Sequence, residues 1–256
     1  GFQGNDDLQT PHIDRFFRQS AVFTKNYADA TCQPFRNALL TGESPVSGGF
    51  IPTSIGIAAE VETVPERMRD AGYRTEHIGK WHQGWLIPEA WPLQQGYDYF
   101  FGFLFQRLLQ GPEDGFGLET GGDSYFNPWL MENNQEAVRI EGHLTDLLAD
   151  RVVERLWDLS TTQQPWFMNY WLYAPHSPIQ PSESFVEAAS AAGRYRALIR
   201  QMDFNVGRVL TALEQSGQME RTIVVFVSDN GGTNREINNN APFSGVKTTY
   251  LSLIHI

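Results

Sequence analysis

The sequence predicts an α/β fold. Short runs of β-branched and aromatic residues, at 73–78, 166–173 and 222–227, alternate with stretches of helical period. Each of those runs leads into a turn that carries ionisable or polar side chains, which is where open α/β sheets place ligands. A chain of 256 residues is also long enough to bury one large core.

Composition narrows the chemistry. With 19 Lys+Arg against 30 Asp+Glu, the net charge of −11 argues against a nucleic-acid partner. An acidic protein that handles an anion must concentrate its few cations at the site, so the position of each Lys and Arg is informative. One cysteine excludes an intrachain disulfide. No uninterrupted apolar run is long enough to span a bilayer.

In order along the chain, Thr10-Pro11-His12-Ile13-Asp14 opens a helix through Arg18, with Ile13, Phe16 and Phe17 as its apolar face. Residues 21–27 read as a strand. Thr31 is a candidate N-cap for a second helix, Pro34 is acceptable in its first turn, and Ala38, Leu39 and Leu40 carry it onward. Cys32 then sits at a helix N-terminus, where free N–H groups favour an anion, and Arg36 lies one turn up the same face, able to reach back toward Cys32 or a bound oxyanion. Residues 45–52, rich in Gly, Ser and Pro, form a loop. Thr63 caps a short helix ended by Gly72.

The strand at 73–78 runs into Gly79-Lys80-Trp81-His82-Gln83-Gly84. On an extended backbone Lys80 and His82 alternate into one cleft while Trp81 packs the other way, and His77 serves packing. Residues 87–140 show no sustained period and read as a long excursion over the cleft; Trp85, Trp91, Tyr97 and Phe103 are taken as satellite core. Residues 143–159 have leucines and valine at helical spacing. The buried strand at 166–173 ends in Ala174-Pro175-His176-Ser177-Pro178. A long helix follows, with Tyr195, Leu198, Ile199, Met202, Val206 and Leu213 on one face and an end near Gly217. The strand at 222–227 leads to Ser228-Asp229-Asn230-Gly231-Gly232, where Asp229 and Asn230 offer two hard oxygen ligands in a tight turn.

Taken singly, these features have bland readings: a lone cysteine is often a small buried hydrophobe, and an Asp-Asn-Gly-Gly string is often only a turn. Taken together and in this order they resemble the sulfatase family. Cys32-x-Pro34-x-Arg36 followed by Thr41-Gly42 is similar to the family signature, and GYRTEHIGKWHQG at 72–84 matches GYRTxxxGKWHxG almost throughout. Pro175-His176-x-Pro178 and Asp229-Asn230-Gly231-Gly232 resemble two further family segments, and Lys247 in Gly245-Val246-Lys247-Thr248 resembles the last active-site lysine. A cysteine-phosphatase loop needs a longer Cys-to-Arg spacing than the three residues found here.

The resemblance implies an alkaline-phosphatase-like sandwich with a central mixed, mostly parallel sheet flanked by helices on both faces. It implies a sulfuric ester hydrolase in which a maturation enzyme oxidises Cys32 to formylglycine, with Ca²⁺ held by Asp229, Asn230 and the residue made from Cys32. It gives Lys80 to the sulfate and the formylglycine, His82 to the formylglycine hydroxyl, His176 to the departing alcohol oxygen, and Arg36 and Lys247 to the same site. The implied partners are a sulfated small molecule or sulfated glycan and the maturation enzyme; the implied setting is exported, of periplasmic, extracellular or lysosomal type. A phosphate or phosphonate monoesterase on the same scaffold and a non-catalytic sulfated-glycan binding protein are the alternatives. Residues 1–14 resemble the stretch that follows the family's first core strand and its Asp-Asp pair. The expectation is therefore a catalytic domain over 1–250 lacking that strand and the C-terminal subdomain, weak in Ca²⁺ binding and inactive as it stands. Asp6-Asp7, in a loop before Leu8-Gln9-Thr10-Pro11, does not substitute for the pair, and 251–256, which matches a translated transposon end, is expected to be non-native.

Overall fold

Period-two alternation along three neighbouring strands builds the centre of the molecule. The structure is a computed structural model that describes residues 7–24, 28–43, 54–105, 124–232 and 247. In chain order its elements are α1 (Pro11–Arg18), α2 (Cys32–Thr41), α3 (Val64–Asp70), β1 (Arg74–Lys80), β2 (Tyr99–Phe103), β3 (Trp129–Glu132), β4 (Val138–Arg139), α4 (Leu144–Ser160), β5 (Trp166–Trp171) and α5 (Ala191–Gln215). The strands form one mixed sheet in the order β4-β3-β2-β1-β5. The long ladders, β1 with β2 and β1 with β5, are parallel; the shorter ones, β2 with β3 and β3 with β4, are antiparallel.

Alternate residues feed two cores on opposite faces of the sheet. Ile78, Tyr99, Phe101 and Phe103 pack with Leu144, Leu148, Val152 and Leu156 of α4 and Leu198 and Leu213 of α5. Trp81 and Phe100 face the other way and pack with Leu40 of α2, Ile57 and Tyr97. Between two such layers β1 is buried almost throughout, as a parallel strand covered on both sides must be. Its one buried carboxylate, Glu76, lies in the ladder beneath α4 and is held by the Arg155 Nη2 and Nε at 2.6 and 3.0 Å.

Local signals set the helix ends. Thr63 and Glu66 form a reciprocal capping box, with the Thr63 N–H donating to Glu66 Oε2 at 2.7 Å. Gly42 closes α2 in the left-handed conformation at φ 72°. Asp203 of α5 accepts from the N–H groups of His12 and Ile13, docking the start of α1.

Four expectations need correction. Residues 99–103 are not an excursion over the cleft but β2, a central strand; Tyr-Phe-Phe-Gly-Phe is apolar on both faces and too short to show a period. Residues 222–227 join no ladder, and Ile223 and Val225 are 92% and 77% exposed, because no strand among the described residues lies alongside to pair with them. Residues 21–24 likewise form no strand, with 25–27 outside the described residues. Thr31 stands at the N-cap of α2 in extended conformation, but its hydroxyl makes no cap bond. The loop expected at 45–52 and the tail at 251–256 lie outside the described residues. No helix among the described residues is long and apolar enough to cross a membrane.

Candidate active site

The C-terminal end of β1 and the N-terminus of α2 meet at Cys32. Cys32 is 5% exposed, in the first turn of α2. Lys80, the last residue of β1, brings its Nζ to 3.6 Å from the Cys32 sulfur, and Lys247 brings its own to 3.5 Å from another direction. The Lys247 N–H is anchored on the Gly232 carbonyl at 2.8 Å, so the turn that carries Asp229 also seats the second lysine.

Gly79 makes the aim of Lys80 possible. It adopts φ 115° where three strands crowd together, and a Cβ there would stand 2.0 Å from the Trp171 carbonyl oxygen. Beyond Lys80 the chain turns sharply at His82, which holds φ 59°, a conformation uncommon outside glycine. Trp81 packs into the opposite core while Lys80 and His82 stay on the site's side.

Arg36 ties the pieces together rather than reaching Cys32. Its Nε and Nη2 each lie 3.0 Å from Asp229 Oδ2, and its Nη1 donates to the Lys80 carbonyl at 2.8 Å. All three nitrogens are therefore engaged, and the guanidinium carbon lies 4.7 Å from the centre of the Trp171 ring. The Gln83 side chain donates to the Gln33 carbonyl at 3.0 Å, a second tie between the exit of β1 and α2.

The titration of these groups follows from cations crowded into a dry place. Burial pushes Lys80 down to about 8, with Arg36 and Lys247 adding to the effect and Cys32 opposing it. His82 is lowered strongly, first by burial and then by Lys80, Arg36 and Lys247. His176 is lowered to about 4 by burial and by Lys80. Burial opposes ionisation of Asp229, yet Arg36, Lys80 and Lys247 outweigh it and hold the carboxyl below its usual value. The site is thus built to accept an anion.

Two details point to missing partners. Both ring nitrogens of His82 are buried with no hydrogen-bond partner, and so is the Asn230 Oδ1 beside Asp229. An orphaned amide oxygen next to a carboxylate suits a hard cation in kind. In number it is insufficient: no group of three or more His, Cys, Asp or Glu that could hold a metal occurs among the described residues.

The family model for sulfatases matches residues 1–256. The chain belongs to the sulfatase family. It is 30% identical over 275 residues to N-acetylgalactosamine-6-sulfatase of Mus musculus, a match that covers 98% of this chain and 52% of that protein. Among solved structures it is similar to Ps i-CgsB in complex with k-i-k-neocarrahexaose, with a TM-score of 0.86, 26% identity, and coverage of 97% of this chain and 59% of the other. A Vibrio parahaemolyticus protein of the alkaline phosphatase superfamily shares the fold at a TM-score of 0.56 and 19% identity, with 85% of this chain and 47% of the other covered. The chain spans about half the length of the curated relatives it matches.

In this sulfatase-family chain, the sequence pointed to Cys32, Arg36, Lys80, His82, His176, Asp229, Asn230 and Lys247, and the structure brings them into one cluster. It adds Tyr173 and Tyr125, which sequence reading passed over. The Tyr173 ring stacks on His176 at 4.7 Å between centroids and lies 5.5 Å from the Lys80 Nζ. Its place at the tip of an apolar run, three residues before His176, was the available signal.

Proposed function

We propose that the complete protein hydrolyses sulfate monoesters, with formylglycine made from Cys32 as its nucleophile and Ca²⁺ as its metal. The observation that carries this reading is the pair of ammonium groups, Lys80 and Lys247, within 3.6 and 3.5 Å of a nearly buried sulfur at a helix N-terminus. Two cations beside one small atom at a helix N-terminus match a bound tetrahedral oxyanion and the charge that develops on it.

The thiol itself is raw material. A maturation enzyme, with its own oxidant, removes the sulfur and leaves an aldehyde, whose hydrate supplies one hydroxyl to attack sulfur and a second to release sulfate. Asp229 and Asn230, with the residue made from Cys32, would hold Ca²⁺, which adds charge against the sulfate oxygens. The described residues group no further carboxylates there, so any additional carboxylate ligands would come from outside them.

The chain's own residues do the positioning and the proton work. Lys80 and Lys247 grip the sulfate oxygens. Arg36 fixes Asp229 and the Lys80 backbone, keeping metal ligand and lysine in register. His82, held neutral by burial and the nearby cations, helps remove the proton of the second hydroxyl as sulfate is eliminated and the aldehyde returns. Burial and, after it, the charge of Lys80 keep His176 neutral; a bound sulfate ester offsets the lysine charge and favours the protonated ring, which gives its proton to the departing alcohol oxygen.

Sulfated carbohydrates are the favoured substrate class, in line with the names of the mouse relative and of the neocarrahexaose complex. The test is a desulfation screen of the full-length, matured protein on aryl sulfates and sulfated glycans beside matched phosphate esters. Sulfate release with little phosphate release is expected. Faster hydrolysis of the phosphate esters would move the protein to phosphoryl transfer, and no release from either would favour a binding protein.

A further inference from the structure

We propose that Tyr125 is a positioning residue for proton transfer: its hydroxyl holds the backbone of His176 so that the ring's Nε2 faces the leaving group. The inference rests on the reading of His176 as the acid. Tyr125 is fully buried, and its hydroxyl donates to the His176 carbonyl oxygen at 2.8 Å. The residue is itself immobilised. Its N–H donates to Gln180 Oε1 at 2.9 Å, its carbonyl accepts from the Leu144 N–H at 2.8 Å, and its ring stacks on His143 at 5.2 Å. His143 in turn donates from Nε2 to the Gln180 carbonyl at 2.8 Å, while its Nδ1 accepts from the Thr145 N–H and lies 3.0 Å from Gln201 Nε2. The segment 176–180 is therefore held at one end by the Tyr125 hydroxyl and at the other by the Tyr125 N–H and His143 Nε2, and Tyr125 in turn is bonded to the first residue of α4.

The hydrogen bonds around the ring decide which nitrogen works. His176 Nδ1 lies 2.7 Å from the Ser177 carbonyl, which can only accept, so Nδ1 carries a hydrogen in either charge state. The Tyr173 hydroxyl donates to the same carbonyl at 2.9 Å and holds it in place, while the Tyr173 ring supports the imidazole from below. Nε2 is left as the nitrogen that gains and gives the proton. In the transfer, the bond between sulfur and the alcohol oxygen breaks, its electron pair stays on that oxygen, and the oxygen takes the Nε2 proton. Geometry governs this step more strongly than binding does, because a small misplacement of the acid costs rate without loosening the sulfate grip.

A leaving group that needs no proton makes the role visible. In the full-length, matured protein, Tyr125→Phe keeps the buried ring and removes only the hydroxyl. Its kcat should fall about tenfold on a carbohydrate or alkyl sulfate and change less than about twofold on a nitrophenyl sulfate, with KM unchanged on both. Tyr173→Phe, which releases the Ser177 carbonyl, should show the same split in smaller measure. His176→Asn serves as the reference and should show the largest split. An equal loss on both substrates for Tyr125→Phe, or no loss on either, overturns the inference while a split for His176→Asn leaves the acid assignment standing. Absence of a split for His176→Asn removes the acid itself and the inference with it.

Discussion

Arg36 and Asp229 meet through two 3.0 Å contacts on one carboxylate oxygen, joining the first helix turn after Cys32 to the turn after residue 227. The Arg36 side chain is only 8% exposed and that of Asp229 26%, so solvent does little to replace either partner. Because Nη1 also holds the Lys80 carbonyl, one guanidinium sets the spacing of three segments that are distant in sequence.

Arg36→Lys therefore leaves a half-buried carboxylate with one contact in place of two and frees the Lys80 carbonyl. Loss of about 2–4 kcal/mol of stability is expected, read as a lower midpoint in denaturant or thermal unfolding. An unchanged midpoint would mean that the pair contributes nothing to the fold.

Lys80→Ala and Lys247→Ala each remove one of the two cations at the sulfur. Each should lower kcat/KM on a sulfate ester by roughly 10²- to 10³-fold and weaken inhibition by inorganic sulfate, measured on the full-length, matured protein. Lys80→Arg should not restore activity, because a bulkier planar fork replaces a point charge at a position that is 2% exposed. Retained sulfate inhibition in both alanine variants would place the anion elsewhere.

Gly79→Ala should be among the most damaging single changes in the sheet. The added methyl would sit 2.0 Å from the Trp171 carbonyl oxygen at a φ of 115° that alanine avoids. A cost above about 3 kcal/mol is expected, seen as insoluble or cold-sensitive protein. A soluble variant with wild-type melting would show that the strands can separate there.

The buried histidines should make the protein acid-labile. Burial lowers His77 to about 3 and His176 to about 4, and lowers His82 and His143 as well. With folded values below the unfolded 6.5, the unfolded state binds more protons, so stability is full above about pH 6.5 and is lost as pH falls. Each such group contributes up to about 1.4 kcal/mol per pH unit. His77 sits among Trp81, Tyr97 and Trp171 with Nε2 on the Lys80 carbonyl, and His77→Gln keeps a donor while removing the titration. The slope of stability against pH between 6 and 4 should then shrink by about one proton; an identical slope would assign the lability to other groups.

Much of this was legible because the chemistry sits in short strings. Cys32-x-Pro34-x-Arg36 and Gly79-Lys80-Trp81-His82 carry both their local geometry and their functional types within a few residues, and the alternation that sends Trp81 away from Lys80 is a property of any strand. The same rule failed for Tyr99–Phe103, since a strand covered on both faces has no polar phase to betray it. It misread 222–227, where β-branched content gave the extended tendency but ladder formation depends on a neighbour that sequence does not display. The bond from Tyr125 to His176 was out of reach, because only the folded chain brings them together. Arg36 was placed correctly on its helix with its aim open between Cys32 and a bound oxyanion: spacing gives the face, and contacts to Asp229 and the Lys80 carbonyl decide where the guanidinium lies.

The most direct test of the central claim is the chemical state of position 32 in the active, full-length protein. Peptide mass spectrometry with a hydrazide trap should find an aldehyde at Cys32, in a fraction that rises and falls with turnover as the maturation enzyme is supplied or withheld, and Cys32→Ser should give neither. Full sulfate-ester turnover from protein whose Cys32 thiol is intact would contradict the account.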